Sequence, residues 1–417
     1  MSLKTDFLGR KLDNPFLLAS GPATRNAEMI MRGFEAGWAG AVTKTISLAP
    51  TKNPSPRLVL YPSKNKWSSF NIELISTDPP NLWVKWIKEI KSHYPDKFLV
   101  ASIMGPAPLE ISKTNSGKLT KAKRSPTGDL SLTGSTKISD WQKLAKQMAE
   151  AGADALELNI SCPHGMPERA MGEFIGQDPK LAAQITAAVS KVSPIPVMVK
   201  LTPNVTDIGL ISRACAKAGA DALSGINTVK SIAGVDIENL RPIPSVSGNS
   251  ATGGYGGAAV KPIALRCVLD MVRSGRIPVS GGGGIFTAED SIEFLLLGAS
   301  TVQVCSAVMA KGFHIISSLK HGLSEYLKRK SFSGVQEIIG LANPYIIKHS
   351  NLKLRQKSVA INHKKCNLHC KYCLVACRDA GFQAITIKNN KPLISKSRCD
   401  GCGLCIYVCP HGAIRMN

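Results

Sequence analysis

The chain has 417 residues, 44% of them hydrophobic, and carries 52 lysines and arginines against 29 acidic residues, a formal net charge of +23. That length suits one large domain plus a small one, and no stretch reads as a membrane span: the longest uncharged run, 294–310, contains Gly, Ser, Thr and Gln and splits into a helix end and a strand. The opening MSLKTDFLGR has no apolar segment after its charges, so no secretory signal is expected, and the basic residues are not interleaved with stacking aromatics, which argues against nucleic acid.

In chain order, short apolar or β-branched runs alternate with helical periodicity, the pattern of a parallel sheet. Strands are expected at 16–20, 41–46, 99–104, 155–161, 197–201, 222–227, 277–280 and 301–305, with clear helices at 140–151, 179–192, 207–218 and 287–297. AGADALEL at 151–158, AGADALSG at 218–225 and LGASTVQV at 297–304 share one form: a helix end, a glycine cap, then a buried strand. Eight such units favour an α/β fold closed as a (β/α)8 TIM barrel over a doubly wound sheet. The barrel is assigned to residues 1–340, with a basic insertion at 110–137 holding six positive residues and one Asp between Lys113 and Lys137. A linker at 341–360 and a small α+β ferredoxin-like domain at 361–417 follow.

Barrels gather function at the C-terminal ends of their strands. Those ends read Ser20-Gly21-Pro22, Thr43-Lys44-Thr45, Asn159-Ile160-Ser161-Cys162-Pro163-His164-Gly165, Lys200-Leu201-Thr202, Asn227-Thr228-Val229, four glycines from Gly281 to Gly284, and Cys305-Ser306. Two lysines aimed into one mouth suit an anionic, electron-accepting ring or a phosphate. Glycines after the seventh strand and hydroxyls after the eighth suit a backbone phosphate cradle. A flavin mononucleotide satisfies both. A nicotinamide site is not indicated: GYGGAA at 254–259 fits GxGxxA but follows no expected strand and is read as loop.

Eight of the twelve cysteines lie in the last 52 residues. They form Cys366-x3-Cys370-x2-Cys373-x3-Cys377 and Cys399-x2-Cys402-x2-Cys405-x3-Cys409-Pro410, the spacing of a protein with two [4Fe–4S] clusters. Three thiolates of each run hold one cluster and the fourth crosses to the other. The sets are then Cys366, Cys370, Cys373 and Cys409, and Cys399, Cys402, Cys405 and Cys377. Zinc ribbons would use two CxxC pairs, and disulfides would need an oxidising compartment. Thiolate ligands point to a reducing cytoplasm. From Lys311 onward 18 basic residues face 4 acidic ones, which suits docking to an acidic electron-transfer partner or subunit and equally suits a generally basic proteome or balancing of the clusters' negative charge.

With these residues in view, the chain resembles the dihydropyrimidine dehydrogenase family, specifically its PreA-type FMN and iron–sulfur subunit. It is more distantly similar to class 1 dihydroorotate dehydrogenases. The motifs are NPFLLAS, NIELIS at 71–76, ALELNISCPHGM at 155–166, KLTPNVTDI at 200–208, INTVKSI at 226–232, VKPIALR at 260–266 and VQVCSAV at 302–308. The resemblance implies that FMN is held by Ser20, Lys44, Thr45, Lys200, Gly257, Gly282, Gly283, Gly284, Cys305 and Ser306. It implies a pyrimidine site of Asn71, Asn159, Ile160, Ser161, Asn227 and Thr228, with Cys162 as general acid on a mobile loop. It further implies uracil or thymine as substrate, an FAD/NAD(P)-binding PreT-type electron-transfer partner subunit and an oligomeric assembly. One of the four glycines after strand seven, the longer first cysteine spacing and the insertion depart from the family pattern. The chemistry suits these roles: a hydride is needed at C6 and a proton at C5, and a thiol of pKa from neutrality to about nine is matched to the second task. The alternative is a dihydroorotate dehydrogenase passing electrons to a ferredoxin-type or NAD-linked partner.

Overall fold

The computed structural model describes residues 1–63, 66–108, 138–354, 357–367 and 369–417. The basic insertion expected at 110–137 lies outside the described residues. The chain forms two compact units, Met1–Tyr345 and Ile346–Asn417.

The first unit is built on a closed barrel of eight parallel strands in sequence order: β1 (Phe16–Leu18), β2 (Gly40–Val42), β3 (Phe98–Ile103), β4 (Ala155–Asn159), β5 (Val197–Lys200), β6 (Ala222–Gly225), β7 (Val279–Gly282) and β8 (Thr301–Val304). Every residue of these strands is buried, which is why each reads as a continuous apolar run rather than an alternating one. Seven of them stop one to four residues short of the sequence expectation. The residues beyond, such as Ser20 and Lys44, leave the ladder and turn into the barrel mouth. β7 lies two residues later than expected, because Gly281 and Gly282 stay in register with Val302 and Gln303 of β8.

Helices cover the barrel and their ends follow local chemistry. Asp178 caps the helix Pro179–Ser190, Asp207 caps Ile208–Lys217, and Thr287 with Asp290 makes a capping box for Ala288–Leu297. Trp38, Trp83 and Trp141 are fully buried between helices and strands. Each indole N–H finds an acceptor, at Phe313 O, Ser76 Oγ and Pro106 O respectively. At the N-terminal end of the barrel, the hairpin Thr5–Phe7/Arg10–Leu12 supplies Phe7 and Leu12. They pack with Leu17, Phe98 and Met198 and fill that end.

One element was not expected. Leu58–Ser63, Lys66–Asn71, Gly253–Gly257 and Val229–Ser231 form a four-stranded antiparallel sheet. The glycine-rich run read as a loop is therefore a strand. A Cβ at Gly253 would strike Asn71 O, and one at Gly257 would strike Trp67 O, so glycine lets the backbones approach.

In the second unit, Val359–Ile361 pairs with Ile414–Met416, and Ile385–Lys388 pairs with Lys391–Ile394. The latter hairpin turns at Asn389 and Asn390, both with positive φ, as such a turn demands. Two helices, Tyr372–Ala380 and Leu404–Tyr407, complete it. Among the described residues of the chain, no helix is long and apolar enough to cross a membrane.

Candidate active site

The C-terminal ends of the barrel strands and the flanking antiparallel sheet line one open cavity. Of the residues predicted to bind flavin, all ten line it: Ser20, Lys44, Thr45, Lys200, Gly257, Gly282, Gly283, Gly284, Cys305 and Ser306. Cys162, Asn71, Asn159, Asn227 and Thr228 line it too. Ile160 and Ser161 do not. Ile160 belongs to the main apolar core, and Ser161 stands behind the wall with no exposure.

Hydrogen bonds tie this wall together. Ser20 Oγ lies 3.4 Å from Thr45 Oγ1, which is 3.0 Å from Ser102 Oγ. Asn159 Nδ2 donates to Thr45 Oγ1 at 2.9 Å. Ser161 Oγ donates to Asn159 Oδ1 at 2.9 Å, and Asn227 Nδ2 donates to Ser161 Oγ at 3.0 Å. The belt fixes which end of the Asn159 amide faces which neighbour. Ser161 therefore touches the cavity wall only through Asn159 and Asn227. On the opposite side, Asn71 Nδ2 donates to Gly254 O at 3.1 Å.

Both mouth lysines are paired with carboxylates that sequence reasoning did not single out. Lys44 Nζ is 3.3 Å from Glu73 Oε2, and Glu73 also meets Arg57. Lys200 Nζ is 3.6 Å from Glu157 Oε1, a carboxylate with no solvent exposure. Glu157 accepts further hydrogen bonds from Ser224 Oγ and Gln303 Nε2. A signal was present: a charged residue inside ALELN, a fully buried five-residue strand, needs a partner.

Cys162 sits at the start of the segment after β4, 6% exposed. Its thiol donates to His164 O at 3.5 Å. Burial pushes this thiol up to about 11, against smaller downward pulls that include the Lys44 and Lys200 ammoniums. That exceeds the range expected from sequence, because in the folded chain desolvation outweighs the two cations. His164 is itself buried. Its Nε2 lies 2.6 Å from Glu73 O, and burial holds its pKa below the ordinary imidazole value. The Glu173 backbone N–H donates to Cys162 O at 2.9 Å. The Glu173 carboxylate receives Asn204 Nδ2 at 2.9 Å and Gln177 Nε2 at 2.7 Å, and burial raises its pKa. The Cys162 segment is thereby clamped to the segment after β5.

The donor set suits an anionic mononucleotide. Two ammoniums, buried Lys200 and half-buried Lys44, face one part of the cavity. The backbone of Gly282–Gly284, with φ of 122° and 86° at Gly283 and Gly284, curves around another. A side chain at Gly284 would collide with Lys261. Chemistry and space fit FMN.

The second unit holds two smaller cavities. One is lined by Cys377, Cys399, Cys402 and Cys405, the other by Cys366, Cys370, Cys373 and Cys409. In each, three cysteines of one run meet the fourth of the other, the arrangement a pair of [4Fe–4S] clusters requires. The Sγ atoms of Cys377 and Cys409 also receive the backbone N–H groups of Ala384 and Ala413, each at 3.3 Å.

Comparison with known proteins agrees with both units. The family described as Dihydroorotate dehydrogenase matches residues 108–327, and the 4Fe-4S dicluster domain matches residues 359–416. The NAD-dependent dihydropyrimidine dehydrogenase subunit PreA of Escherichia coli (strain K12) is 37% identical over 424 residues, covering 100% of this chain and 95% of the relative. The chloroplastic dihydropyrimidine dehydrogenase (NADP(+)) of Arabidopsis thaliana is 36% identical over 372 residues, 86% of this chain and 80% of its own. The catalytic subunit of dihydroorotate dehydrogenase B (NAD(+)) of Pyrococcus abyssi (strain GE5 / Orsay) is 38% identical over 341 residues, 82% of this chain and 99% of its own.

Proposed function

We propose a reaction from one premise: the chain belongs to the dihydropyrimidine dehydrogenase family, as a PreA-type FMN and iron–sulfur subunit related to the dihydroorotate dehydrogenases. It interconverts a pyrimidine such as uracil or thymine and its 5,6-dihydro form, with electrons relayed through the two-cluster unit. The observation that carries this reading is a buried thiol, Cys162, in the wall that holds Asn71, Asn159 and Asn227. The same chain carries two tetracysteine cages.

When bound, FMN supplies hydride transfer and the clusters supply single electrons. The protein's part follows from its side chains. Asn71, Asn159 and Asn227 present amides that match the alternating N–H and C=O edge of a pyrimidine dione. Cys162 holds the proton destined for C5, and burial keeps it protonated at neutral pH. Lys44 and Lys200 would hold the anionic parts of the flavin. Glu73 and Glu157 hold those ammoniums in place. Pairing through Thr45 and Ser161 sets the amide orientations before substrate arrives. We assign residues 1–340 to catalysis, the eight cysteines to the clusters, the cytoplasm as the compartment, and an FAD/NAD(P)-binding PreT-type subunit as electron partner.

A dihydroorotate reading draws on the relative from Pyrococcus abyssi, which matches 82% of this chain, whereas the PreA relative matches all of it. Anaerobic flavin bleaching of the isolated chain separates the two, because it needs no partner. Bleaching by dihydrouracil or dihydrothymine and not by dihydroorotate is expected. Bleaching by dihydroorotate alone would overturn the assignment.

A further inference from the structure

The turn after β7 is built from residues that do not hold a shape by themselves. Gly281–Gly284 are four successive glycines, and Gly283 and Gly284 have φ of 122° and 86°. Glycine loses more conformational freedom on folding than any other residue. Yet the backbone from Gly282 to Phe286 lines the cavity, where its course decides which way the N–H groups point. A group outside the turn has to fix it.

Asp290, 1% exposed, sits in the first turn of the helix Ala288–Leu297. Its Oδ2 accepts the backbone N–H groups of Phe286 and Thr287, each at 2.9 Å. A capping box needs only the second of these. Its Oδ1 receives Lys261 Nζ at 2.8 Å and Lys66 Nζ at 3.2 Å. These lysines belong to two other walls of the same cavity. Lys261 opens the helix Lys261–Gly275 directly after Val260, which lines the cavity. It also packs on Gly284, where a Cβ would lie 2.7 Å from its own. Lys66 opens the strand Lys66–Asn71, whose Ser69 and Asn71 line the cavity. The same two walls meet again where the Ala259 N–H donates to Ser68 Oγ at 3.1 Å. Asp290, Lys66 and Lys261 themselves stand behind the lining. Burial opposes ionisation of Asp290, but Lys261 and the Phe286 N–H hold its carboxyl below the usual carboxylate range, so it is charged.

We propose that Asp290 is the positioning residue for the phosphate end of the FMN site. It fixes the glycine turn from behind and ties it to the helix and the sheet that complete this wall. The cradle N–H groups are thereby in place before the cofactor arrives. The inference rests on the flavin reading of the cavity and holds whichever pyrimidine is the substrate. Preorganisation removes an ordering cost that binding would otherwise meet, and that cost is largest for glycine. The competing role for Lys66 and Lys261 is direct phosphate contact, with Asp290 only balancing their charge. The geometry points to the strut, because both ammoniums are engaged by Asp290 and Lys261 is held a second time by Glu293 at 2.7 Å.

The test uses the full-length chain with its clusters, under anaerobic conditions, after reversible removal of the flavin. Dissociation constants for FMN and for riboflavin, which lacks the phosphate, are read from flavin fluorescence for the native chain, Asp290→Asn and Lys66→Met. The riboflavin arm separates placement of the cradle from support of the whole barrel. Expected for Asp290→Asn is a loss of about tenfold or more in FMN affinity, with riboflavin within about twofold of native. Lys66→Met should lose less, and for FMN alone. Where Asp290→Asn does not fold, Lys66→Met decides by the same comparison. Equal losses for both flavins, or no loss for either, overturn the proposal. Tighter FMN binding by Asp290→Asn overturns it too, because the freed lysines would then be reaching the phosphate. A native chain that binds neither flavin overturns the flavin reading and the proposal with it. One that binds both equally leaves the flavin reading standing and overturns the phosphate cradle, and so the role of Asp290.

Discussion

Lys200 Nζ lies 3.6 Å from Glu157 Oε1, joining a barrel-mouth cation to a carboxylate wholly withdrawn from water. Neither member is tolerable there alone. Lys200→Met strands a buried charge and is expected to cost about 3–5 kcal/mol. Lys200→Met/Glu157→Gln removes both charges while retaining the Ser224 and Gln303 contacts, and should recover most of that loss. Urea unfolding of the two variants checks this: equal destabilisation would mean the pair is not coupled.

Cys162→Ala removes the proton donor without touching the glycine cradle or the two lysines. Turnover is expected to fall by roughly 10²–10⁴-fold, the usual worth of a positioned acid. FMN content should stay at the native level. A variant that turns over normally would place the acid elsewhere.

The raised pKa of Cys162 gives the two directions opposite pH profiles. Pyrimidine reduction needs the thiol, so its rate should be level through neutrality and fall above pH about 11. Dihydropyrimidine oxidation needs the thiolate, so flavin bleaching should rise about tenfold per pH unit until about 11. Stability follows the same group. The folded pKa lies above the ordinary value of 9.0, so the benefit of burying the thiol is complete below pH 9 and is lost between 9 and about 11. By linkage it amounts to about 3 kcal/mol. A break near pH 9 in the bleaching rate would show the thiol to be solvated in the reacting state.

Crossed ligation makes the two terminal cysteines informative. Cys409→Ala should remove the cluster shared with Cys366, Cys370 and Cys373, and Cys377→Ala the one shared with Cys399, Cys402 and Cys405. Iron content should fall by about half in each, and the electron paramagnetic resonance signals lost should differ. Loss of the cluster belonging to the mutated run would reverse the pairing.

The barrel was legible because buried parallel strands have no solvent face to interrupt them, so AVTKTI, ALELNI and VMVKL stand out as apolar runs between helical periods. Boundaries were less legible. The same residues that look strand-like at the run ends, Thr43 to Ile46 for example, are those that leave the ladder to build the mouth. The antiparallel sheet escaped notice because Gly253–Gly257 has no β-branched residue to mark it. Only close backbone packing makes it a strand. Within the site, residues that face the cavity were readable from strand ends and motifs. The residues behind them were not: Glu73, Glu157 and Glu173 are set by partners distant in sequence, as with Lys200 for Glu157 and Asn204 for Glu173.

The helix Tyr372–Ala380 carries Cys373, which lines one cage, and Cys377, which lines the other. Four residues of α-helix advance by about 6 Å. A single helical turn is thus a ruler between the two redox centres, and one of the stiffest that a polypeptide can make. Side-chain substitutions elsewhere in the unit can change the potential of either centre, but they cannot lengthen the gap an electron crosses. Natural variation in this unit is therefore free to tune driving force and partner choice while the internal hop stays short and fast.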